Sequence, residues 1–231
     1  MHRSMCRVQS GPFVYYTCRR LPVRHAFTTK YGGVSTGHCE SLNLGFSRGD
    51  EETSVRENYR RLAEALGVDE KRFTLTRQIH ETEVSVVGEE QAGMGLHRPM
   101  AWRIVTALPD TPLCGFYADC VVTLLYDPAT HTAGVAHAGW RGMAGGILPK
   151  TAEVMVARLG ARRESLIAVL GPSIRQECFE TDADVPEAME RLLGVAVRPY
   201  IREKGAKFHV DLQGIGVKLL RDAGLAPENV I

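Results

Sequence analysis

Residues 120–137 read CVVTLLYDPATHTAGVAH, and two apolar runs within this stretch decide the fold. The first run, residues 121–126, is apolar on both of its faces, which is typical of a strand that is covered on both sides. Asp127-Pro128 ends this strand. Residues 132–136 form a second strand, which Gly139 ends. The stretch therefore predicts a buried sheet with other elements packed against it.

The other elements follow from periodicity and from turn residues. Apolar residues at helical spacing predict a helix over residues 50–66, which Gly67 ends. The remaining predicted helices cover residues 147–159, 185–193 and 212–223, and the remaining predicted strands cover residues 84–87, 166–170 and two parts of 112–126 joined by a turn. Helices and strands do not alternate strictly, so the sequence predicts an α/β fold: a layered, mixed β-sheet with flanking helices.

The composition is that of an ordinary soluble globule. The 231 residues, 44% of them apolar, suffice for one sizeable core, and no repeat or linker divides them, so a single domain over residues 1–231 is predicted. A net charge of +1 favours no nucleic-acid partner. No apolar stretch approaches the roughly 20 residues that span a bilayer, and no signal-peptide core is present. The predicted compartment is the cytoplasm, with no membrane partner, and the six cysteines are expected to be reduced there.

One cysteine and two histidines lie at the edges of apolar runs. Cys120 precedes the strand at 121–126, His137 follows the strand at 132–136, and His80 follows Thr-Arg-Gln-Ile. Each residue alone is more often structural. Together they predict three ligands of a catalytic zinc with one open position, where a bound water would have a pKa of about 7. Without a metal, Cys120 and a histidine would instead be a nucleophile and its base, and both interpretations stay open.

Several polar residues are candidates for the surroundings of this site. Arg141 and Arg60 or Arg61 would clamp an anion, although a solvated helix face is the preferred interpretation of Arg61. Asn43, between two apolar residues, is expected either on the outer face of a strand or in a polar pocket. Trp140 would stack on a planar base, but a core position is the commoner fate of a tryptophan.

Two residues close to Cys120 in the sequence bear on the same site. Asp119 is costly beside a buried strand unless it is paired. Cys114 is an alternative metal ligand if residues 114–120 form one continuous strand, because both thiols would then share a face.

The motifs taken together resemble a known family. The segments that carry the resemblance are Gln78-Ile-His80, Ala118-Asp-Cys120 with Tyr126-Asp-Pro128, His137-Ala-Gly-Trp-Arg-Gly142 and Leu170-Gly-Pro-Ser-Ile174, supported by residues 27–35, 41–45 and 57–61. They are similar to those of the YfiH-like family, long labelled multicopper polyphenol oxidase or laccase-domain proteins and now regarded as zinc-dependent purine nucleoside enzymes. The match runs from about Phe27 to the C-terminus in the order of the family.

The resemblance implies an activity and a fold. The activity is phosphorolysis of adenosine, inosine, guanosine and methylthioadenosine, together with deamination of adenosine, so purine nucleosides and phosphate are the expected partners. The fold would be shared distantly with cysteine-dependent toxin deamidases of the CNF type. The sequence does not indicate an oligomeric state.

The resemblance also implies roles for individual residues. His80, Cys120 and His137 would hold a catalytic Zn²⁺, with Cu²⁺ as the less favoured ion although it competes well for such ligands. The implied substrate-binding residues are Asn43 and Arg60, in the phosphate or ribose pocket, and Arg141, as a further anion contact. In deamination, Glu81 or Asp119 would shuttle the proton.

The chain departs from the family pattern at several positions. Glu81 replaces a common glycine, Val121 replaces a common proline, and the stretch Ala101-Trp-Arg-Ile104 lacks a usual aspartate. Relatives also continue past Ile231, so the chain is expected to lack the family's last C-terminal strand; a frayed terminus is the alternative interpretation. These changes bear on substrate preference, stability and activity, since all three candidate ligands are retained.

Three alternative functions follow from the same residues. A copper-dependent phenol oxidase matches the older family label, but one His/Cys/His set and 8 histidines in all fit a multicopper enzyme poorly. A metal-free Cys/His hydrolase would use Cys120 as its nucleophile. A non-catalytic partner protein would keep the fold and lose the reaction.

Overall fold

The computed structural model describes residues 4–76, 84–92 and 103–231. Contacts between Cα atoms divide the chain into two compact units, Met1–Phe73 and Thr74–Ile231. Two compact units can belong to one domain, so the single domain expected from the sequence stays a prediction.

The first unit combines a small antiparallel sheet with one long helix. Its strands, in spatial order, are β1 (Met5–Ser10), β2 (Phe13–Cys18) and β3 (Phe27–Thr28). Helix α1 (Glu52–Leu66) lies within the predicted range and buries an apolar stripe of Val55, Tyr59 and Leu62. It ends at Gly67, whose φ of 62° is a conformation that glycine adopts readily.

The second unit is built on a five-stranded mixed sheet. The strands that follow one another along the chain are β4 (Thr74–Leu75), β5 (Ser85–Val86), β6 (Arg103–Thr106), β7 (Leu113–Cys114), β8 (Val121–Asp127), β9 (Thr132–Ala138) and β10 (Ile167–Leu170). Five of them form the sheet, in the order β10-β8-β9-β6-β5, and β4 pairs with β7 separately. The β5–β6 pair is parallel and the other pairs of the large sheet are antiparallel. The sheet is therefore mixed, as predicted.

Helices cover this sheet and complete the core. The helices of this unit are α2 (Glu89–Ala92), α3 (Trp140–Ala144), α4 (Ile147–Leu159), α5 (Asp184–Leu193) and α6 (Leu212–Asp222), of which α3, α4 and α6 contact strands of the sheet. Leu125 and Ala136 of the central strands share one cluster of buried side chains with Met155 of α4 and Leu220 of α6. Each fully buried side chain of leucine or methionine size contributes about 1.5–3 kcal/mol. The predicted layered α/β fold is confirmed, and none of the helices among the described residues is long and apolar enough to cross a membrane.

A third small sheet was not predicted from the sequence. It contains β11 (Glu180–Thr181), β12 (Ile201–Lys204) and β13 (Lys207–Val210), with β13 in the middle. All of its pairs are antiparallel.

The last residues of the chain lie alongside β10. Val230 forms a parallel bridge with Ala168, the Ile231 N–H donates to the Ala168 carbonyl at 2.9 Å, and the Leu170 N–H donates to the Ile231 carbonyl at 2.8 Å. The interpretation of these residues as a frayed terminus is therefore wrong, because a frayed end makes no such regular hydrogen bonds.

The turn between β8 and β9 is closed by a buried carboxylate. Asp127 is fully buried and accepts hydrogen bonds from the backbone N–H groups of Ala129 and Arg162 and from the hydroxyls of Thr130 and Ser165. Burial alone would raise the pKa of Asp127, but these four bonds together lower it. The carboxylate thus joins the strand end to the segment that leads into β10.

Candidate active site

Cys120 and His137 are brought together by the pairing of β8 with β9. In this antiparallel register Val122 lies opposite His137 and Val121 lies opposite Ala138. Cys120 immediately precedes β8, and extending the alternation of the strand by this one residue puts Cys120 on the face of Val122 and His137. Diagonal neighbours of this kind have Cα atoms about 7–8 Å apart. Two of the three predicted ligands can therefore reach a common point.

Gly139 leaves room for the cysteine side chain. Continuing the register places Gly139 opposite Cys120, and a Cβ built on Gly139 would lie 3.2 Å from Cys120 Sγ. Any larger residue would press on the sulfur, since a contact this short requires the neighbour to move. The close approach of Cys120 thus explains why glycine follows β9 at this position.

His137 is held in a defined orientation. It is buried, and a ring N–H donates to the backbone carbonyl of Phe116. Burial is the larger influence and lowers the pKa of His137, although the hydrogen bond opposes it. A hydrogen bond to one ring nitrogen fixes the tautomer, and the other nitrogen then carries the lone pair that a metal ion binds.

Cys120 lies in surroundings that keep its thiol protonated. Its side chain is partly buried, and burial together with the negative charge of Asp119 raises the pKa of Cys120. The Asp119 side chain itself is exposed, so water solvates its charge and the cost of a buried carboxylate does not arise. A thiolate forms here when a cation is close by, which is what a metal ion provides.

The third predicted ligand lies outside the described residues. His80 and Glu81 belong to the segment 77–83, which lies outside the described residues, and Trp102 lies outside them as well. Over residues 4–76, 84–92 and 103–231, no group of three His, Cys, Asp or Glu side chains is placed to hold a metal ion. The described part of the site is accordingly the pair Cys120 and His137, and the ligand set stays a prediction.

Cys114 does not share a strand with Cys120. Strand β7 ends at Cys114, and β8 begins at Val121, so the continuous strand required for Cys114 to be an alternative ligand is not formed. Burial raises the pKa of Cys114 to about 12, as expected of a thiol that is a packing residue.

Arg141 lies on the face of Trp140 in the short helix α3. Its guanidinium carbon is 4.1 Å from the centroid of the indole ring, a cation–π contact. Among the described residues Arg141 has no carboxylate partner, and its side chain is exposed. The arrangement leaves a positive group open to an anion and occupies one face of Trp140.

Asn43 and Arg60, the other two predicted substrate contacts, belong to the first unit. Asn43 lies in no strand; its amide donates to the Asp50 carboxylate at 2.8 Å and accepts from the Gly45 N–H at 2.9 Å. The strand interpretation of Asn43 is wrong because these bonds fold residues 43–50 into turns. Arg60 is exposed on α1 and is paired with Glu57 and Glu64.

Arg61 also reaches Glu57, with its Nε 2.7 Å from the carboxylate. The two guanidinium groups of Arg60 and Arg61 lower the pKa of Glu57 to about 2. These ion pairs with Glu57 lie on the outer face of α1, which agrees with the solvated helix face expected for Arg61.

Asn58 is a structural residue that the sequence analysis did not single out. It is fully buried on α1; its side-chain oxygen accepts from the Val34 N–H, and its amide donates to the Ser35 hydroxyl and to the Asn43 carbonyl. The signal was present: Asn58 stands three residues after Val55 on the apolar face of the helix. A polar residue at such a position requires partners, and here it binds the loop that contains Asn43.

Comparison with known proteins places these residues in a family context. A family model described as multi-copper polyphenol oxidoreductase laccase matches residues 24–231. The chain is 39% identical over 208 residues to a purine nucleoside phosphorylase of Deinococcus radiodurans, covering 89% of this chain and 77% of that protein. It is 32% identical over 216 residues to the purine nucleoside phosphorylase YlmD of Bacillus subtilis, covering 88% and 75%.

Solved structures agree with this match. The crystal structure of YlmD from Geobacillus stearothermophilus has a TM-score of 0.89 to this chain at 28% identity, covering 97% of this chain and 86% of that one. The crystal structure of the Bacillus licheniformis hypothetical protein YfiH has a TM-score of 0.83 at 29% identity, covering 89% and 79%.

Proposed function

We propose that this chain, which belongs to the family of the multi-copper polyphenol oxidoreductase laccase model, is a purine nucleoside phosphorylase. The observation that carries the proposal is that the β8–β9 pairing puts Cys120, just before β8, and His137, on β9, at one end of the sheet, in a chain whose curated relatives bear that name. The substrates would be a purine nucleoside and inorganic phosphate.

The donor set around Cys120 fits zinc. A thiolate and an imidazole are ligands that Zn²⁺ prefers, with bonds of about 2.3 and 2.0–2.1 Å, and the missing side chain of Gly139 leaves space beside the sulfur. We infer that Cys120 and His137, with His80 from outside the described residues, hold this ion. When bound, zinc would supply a Lewis acid that stabilises developing negative charge and activates water.

Phosphorolysis exchanges one bond at the sugar for another. A phosphate oxygen bonds to the anomeric carbon of the ribose while the glycosidic bond breaks, and its electron pair leaves with the purine, which takes up a proton. The products are the free base and ribose 1-phosphate. The chain has to bind phosphate, orient it and stabilise the departing base.

Arg141 is suited to binding phosphate. Its guanidinium matches phosphate geometry, has no carboxylate partner among the described residues, and is held over Trp140. Replacement by alanine should raise the KM for phosphate about tenfold, with a smaller change in the KM for the nucleoside.

Arg60 and Asn43 would contribute in different ways. The ion pairs of Arg60 are exposed, and exposed pairs contribute about 0–1 kcal/mol, so exchanging Glu57 for a phosphate oxygen costs little. The Asn43 amide is already hydrogen-bonded to Asp50 and Gly45, so Asn43 would act by holding its turn in place.

A product assay with a cysteine variant tests the function. The purified protein, with its metal content measured, is incubated with adenosine with and without phosphate, and the products are separated by chromatography. We expect phosphate-dependent release of adenine, abolished by Cys120→Ala. Cys178→Ala is the matched control, since Cys178 is an exposed thiol and its removal should leave activity unchanged. Full activity in Cys120→Ala would overturn the assignment.

The same assay addresses the finer specificity. We propose that inosine, guanosine and methylthioadenosine are also cleaved, and that adenosine is deaminated in a side reaction in which water adds at the amino-bearing carbon and ammonia leaves. Inosine formed without phosphate would reveal deamination, whereas free base formed only with phosphate would restrict the protein to phosphorolysis.

Copper-dependent phenol oxidation is the second candidate, favoured by the description of the family model. Its signature is dioxygen uptake that depends strictly on copper. A metal-free hydrolase fits less well, because burial and Asp119 raise the pKa of Cys120, whereas a nucleophilic cysteine needs a lowered one. Inactivation by thiol alkylation but not by chelators would favour the hydrolase, and a zinc-loaded but inactive fold would indicate a non-catalytic partner protein.

A further inference from the structure

The segment that follows β10 remains hydrogen-bonded to the residues at the start of β8. The Gly171 N–H donates to the Val122 carbonyl at 2.8 Å, and the Ile174 N–H donates to the Asp119 carbonyl at 2.8 Å. These two bonds lie on either side of Cys120. The intervening residues of the loop 171–174 therefore run alongside the candidate metal ligand, on the side opposite to β9.

This loop is also fixed from the helix side. The Gln213 side-chain amide, in α6, donates to the Gly171 carbonyl at 3.0 Å. With one bond to α6 and two to the start of β8, the loop has a defined position beside Cys120.

Ser173 is the residue of this loop with an unused polar group. Its hydroxyl oxygen is buried and has no hydrogen-bond partner among the described residues. Buried hydroxyls almost always have a partner, so an exception calls for a physical reason. The hydroxyl makes no hydrogen bond to the neighbouring Cys120 sulfur in this structure, and a thiol is only a weak acceptor, whereas a thiolate is a strong one.

We propose that Ser173 is a positioning residue for Cys120, donating its hydroxyl hydrogen to the sulfur when Cys120 binds a metal ion. Groups that hydrogen-bond to metal ligands orient them, and their loss typically lowers metal affinity about 10–100-fold. The inference rests on the proposed zinc ligation and adds to it a residue that orients the sulfur.

Metal affinity of the Ser173→Ala variant tests the proposal. Zinc affinity of the metal-free protein is measured by competition with a chromophoric chelator, and we expect a loss of at least tenfold. Thr123→Val is the matched control: Thr123 lies on β8 and its hydroxyl is likewise buried and without a partner, but it lies opposite Leu170 rather than beside Cys120. Its zinc affinity should equal that of the wild type.

Cobalt substitution provides a readout that a general loosening of the fold would not change. In the Co²⁺-loaded protein, the sulfur-to-metal charge-transfer band should move to lower energy in Ser173→Ala, because a thiolate without a hydrogen bond is the better electron donor. Thr123→Val should leave the band in place.

The outcomes separate this inference from the proposed function. If Ser173→Ala has the zinc affinity and the cobalt band of the wild type, the role of Ser173 is overturned, while the proposed zinc site is unaffected. An equal loss of affinity in Thr123→Val also overturns it, because the effect would then be one of packing. Wild-type protein that binds neither ion overturns the zinc ligation and the role of Ser173 together.

Discussion

Replacing Asp127 with asparagine should destabilise the fold by about 4–6 kcal/mol. Each carboxylate oxygen accepts one backbone N–H and one hydroxyl: Oδ1 accepts from Ala129 and Ser165, and Oδ2 accepts from Thr130 and Arg162. The hydroxyls can rotate to accept from an amide, but the two N–H groups cannot. Whichever way the asparagine side chain points, its NH₂ group faces a backbone donor.

The magnitude follows from two contributions. A backbone donor left without a partner costs about 1–3 kcal/mol, and each remaining bond loses the advantage of a charged acceptor, about 1 kcal/mol. The assay is urea unfolding followed by circular dichroism, in which the midpoint should fall while the slope m stays constant. Asp222→Asn is the control for the same substitution, since the Asp222–Lys218 pair is exposed and contributes about 0–1 kcal/mol.

The pH dependence provides an independent check. Because the pKa of Asp127 is lower in the folded protein than its ordinary value of 3.8, its stabilising contribution is complete above that value and is lost as the pH falls below it. The difference in unfolding free energy between wild type and Asp127→Asn should therefore shrink as the pH falls below about 4. A difference below about 0.5 kcal/mol at neutral pH, or one that does not change on acidification, would refute this reasoning.

Three further predictions follow from the same structure. Thr123→Val should stabilise the protein by about 1 kcal/mol because it removes a buried hydroxyl without a partner among the described residues. Thr106→Val should instead destabilise it by about 1–3 kcal/mol because the Leu108 N–H loses its acceptor. Urea unfolding measures both changes in unfolding free energy, and changes of the same sign would contradict the argument. Gly139→Ala should weaken zinc binding in the chelator competition, because the added Cβ would lie 3.2 Å from the cysteine sulfur; unchanged affinity would count against that contact. An NMR titration of His25 should give a pKa below 6.5, because burial outweighs its hydrogen bond to Val23, so the stability it confers is lost as the pH falls below about 6.5; a value above 6.5 would reverse the sign.

The buried elements of the fold could be predicted from the sequence because their patterns are strong. The helix over residues 147–159 has the predicted bounds, and β8 and β10 differ from prediction by one residue at one end. In each case apolar periodicity and a terminal Gly or Asp-Pro agree.

The two hairpins β1–β2 and β12–β13 were missed because their strands are half-exposed and lack clear alternation. Their turns carried a usable signal. Both are two-residue loops that begin with glycine at positive φ, Gly11 at 55° and Gly205 at 63°, as the first position of a type II′ hairpin turn requires.

The candidate site could be predicted only in part. Cys120 and His137 stood out because each lies at the edge of a buried run, and strand pairing places them on one face. Ser173 could not be assigned a place from sequence, since its position depends on hydrogen bonds between residues about 50 apart in the chain. The predicted roles of His80, Asn43, Arg60 and Arg141 stay predictions.

The Asn58 side chain has a consequence for the order in which the first unit opens. The Val34 N–H donates to Asn58 Oδ1 at 2.7 Å, so this loop proton is protected from solvent by a residue of α1 rather than by a strand. Its hydrogen–deuterium exchange should therefore follow the opening of the helix and not the fraying of the loop. The exchange rate of the Val34 amide, in a loop without regular structure, would then report the free energy required to separate α1 from that loop.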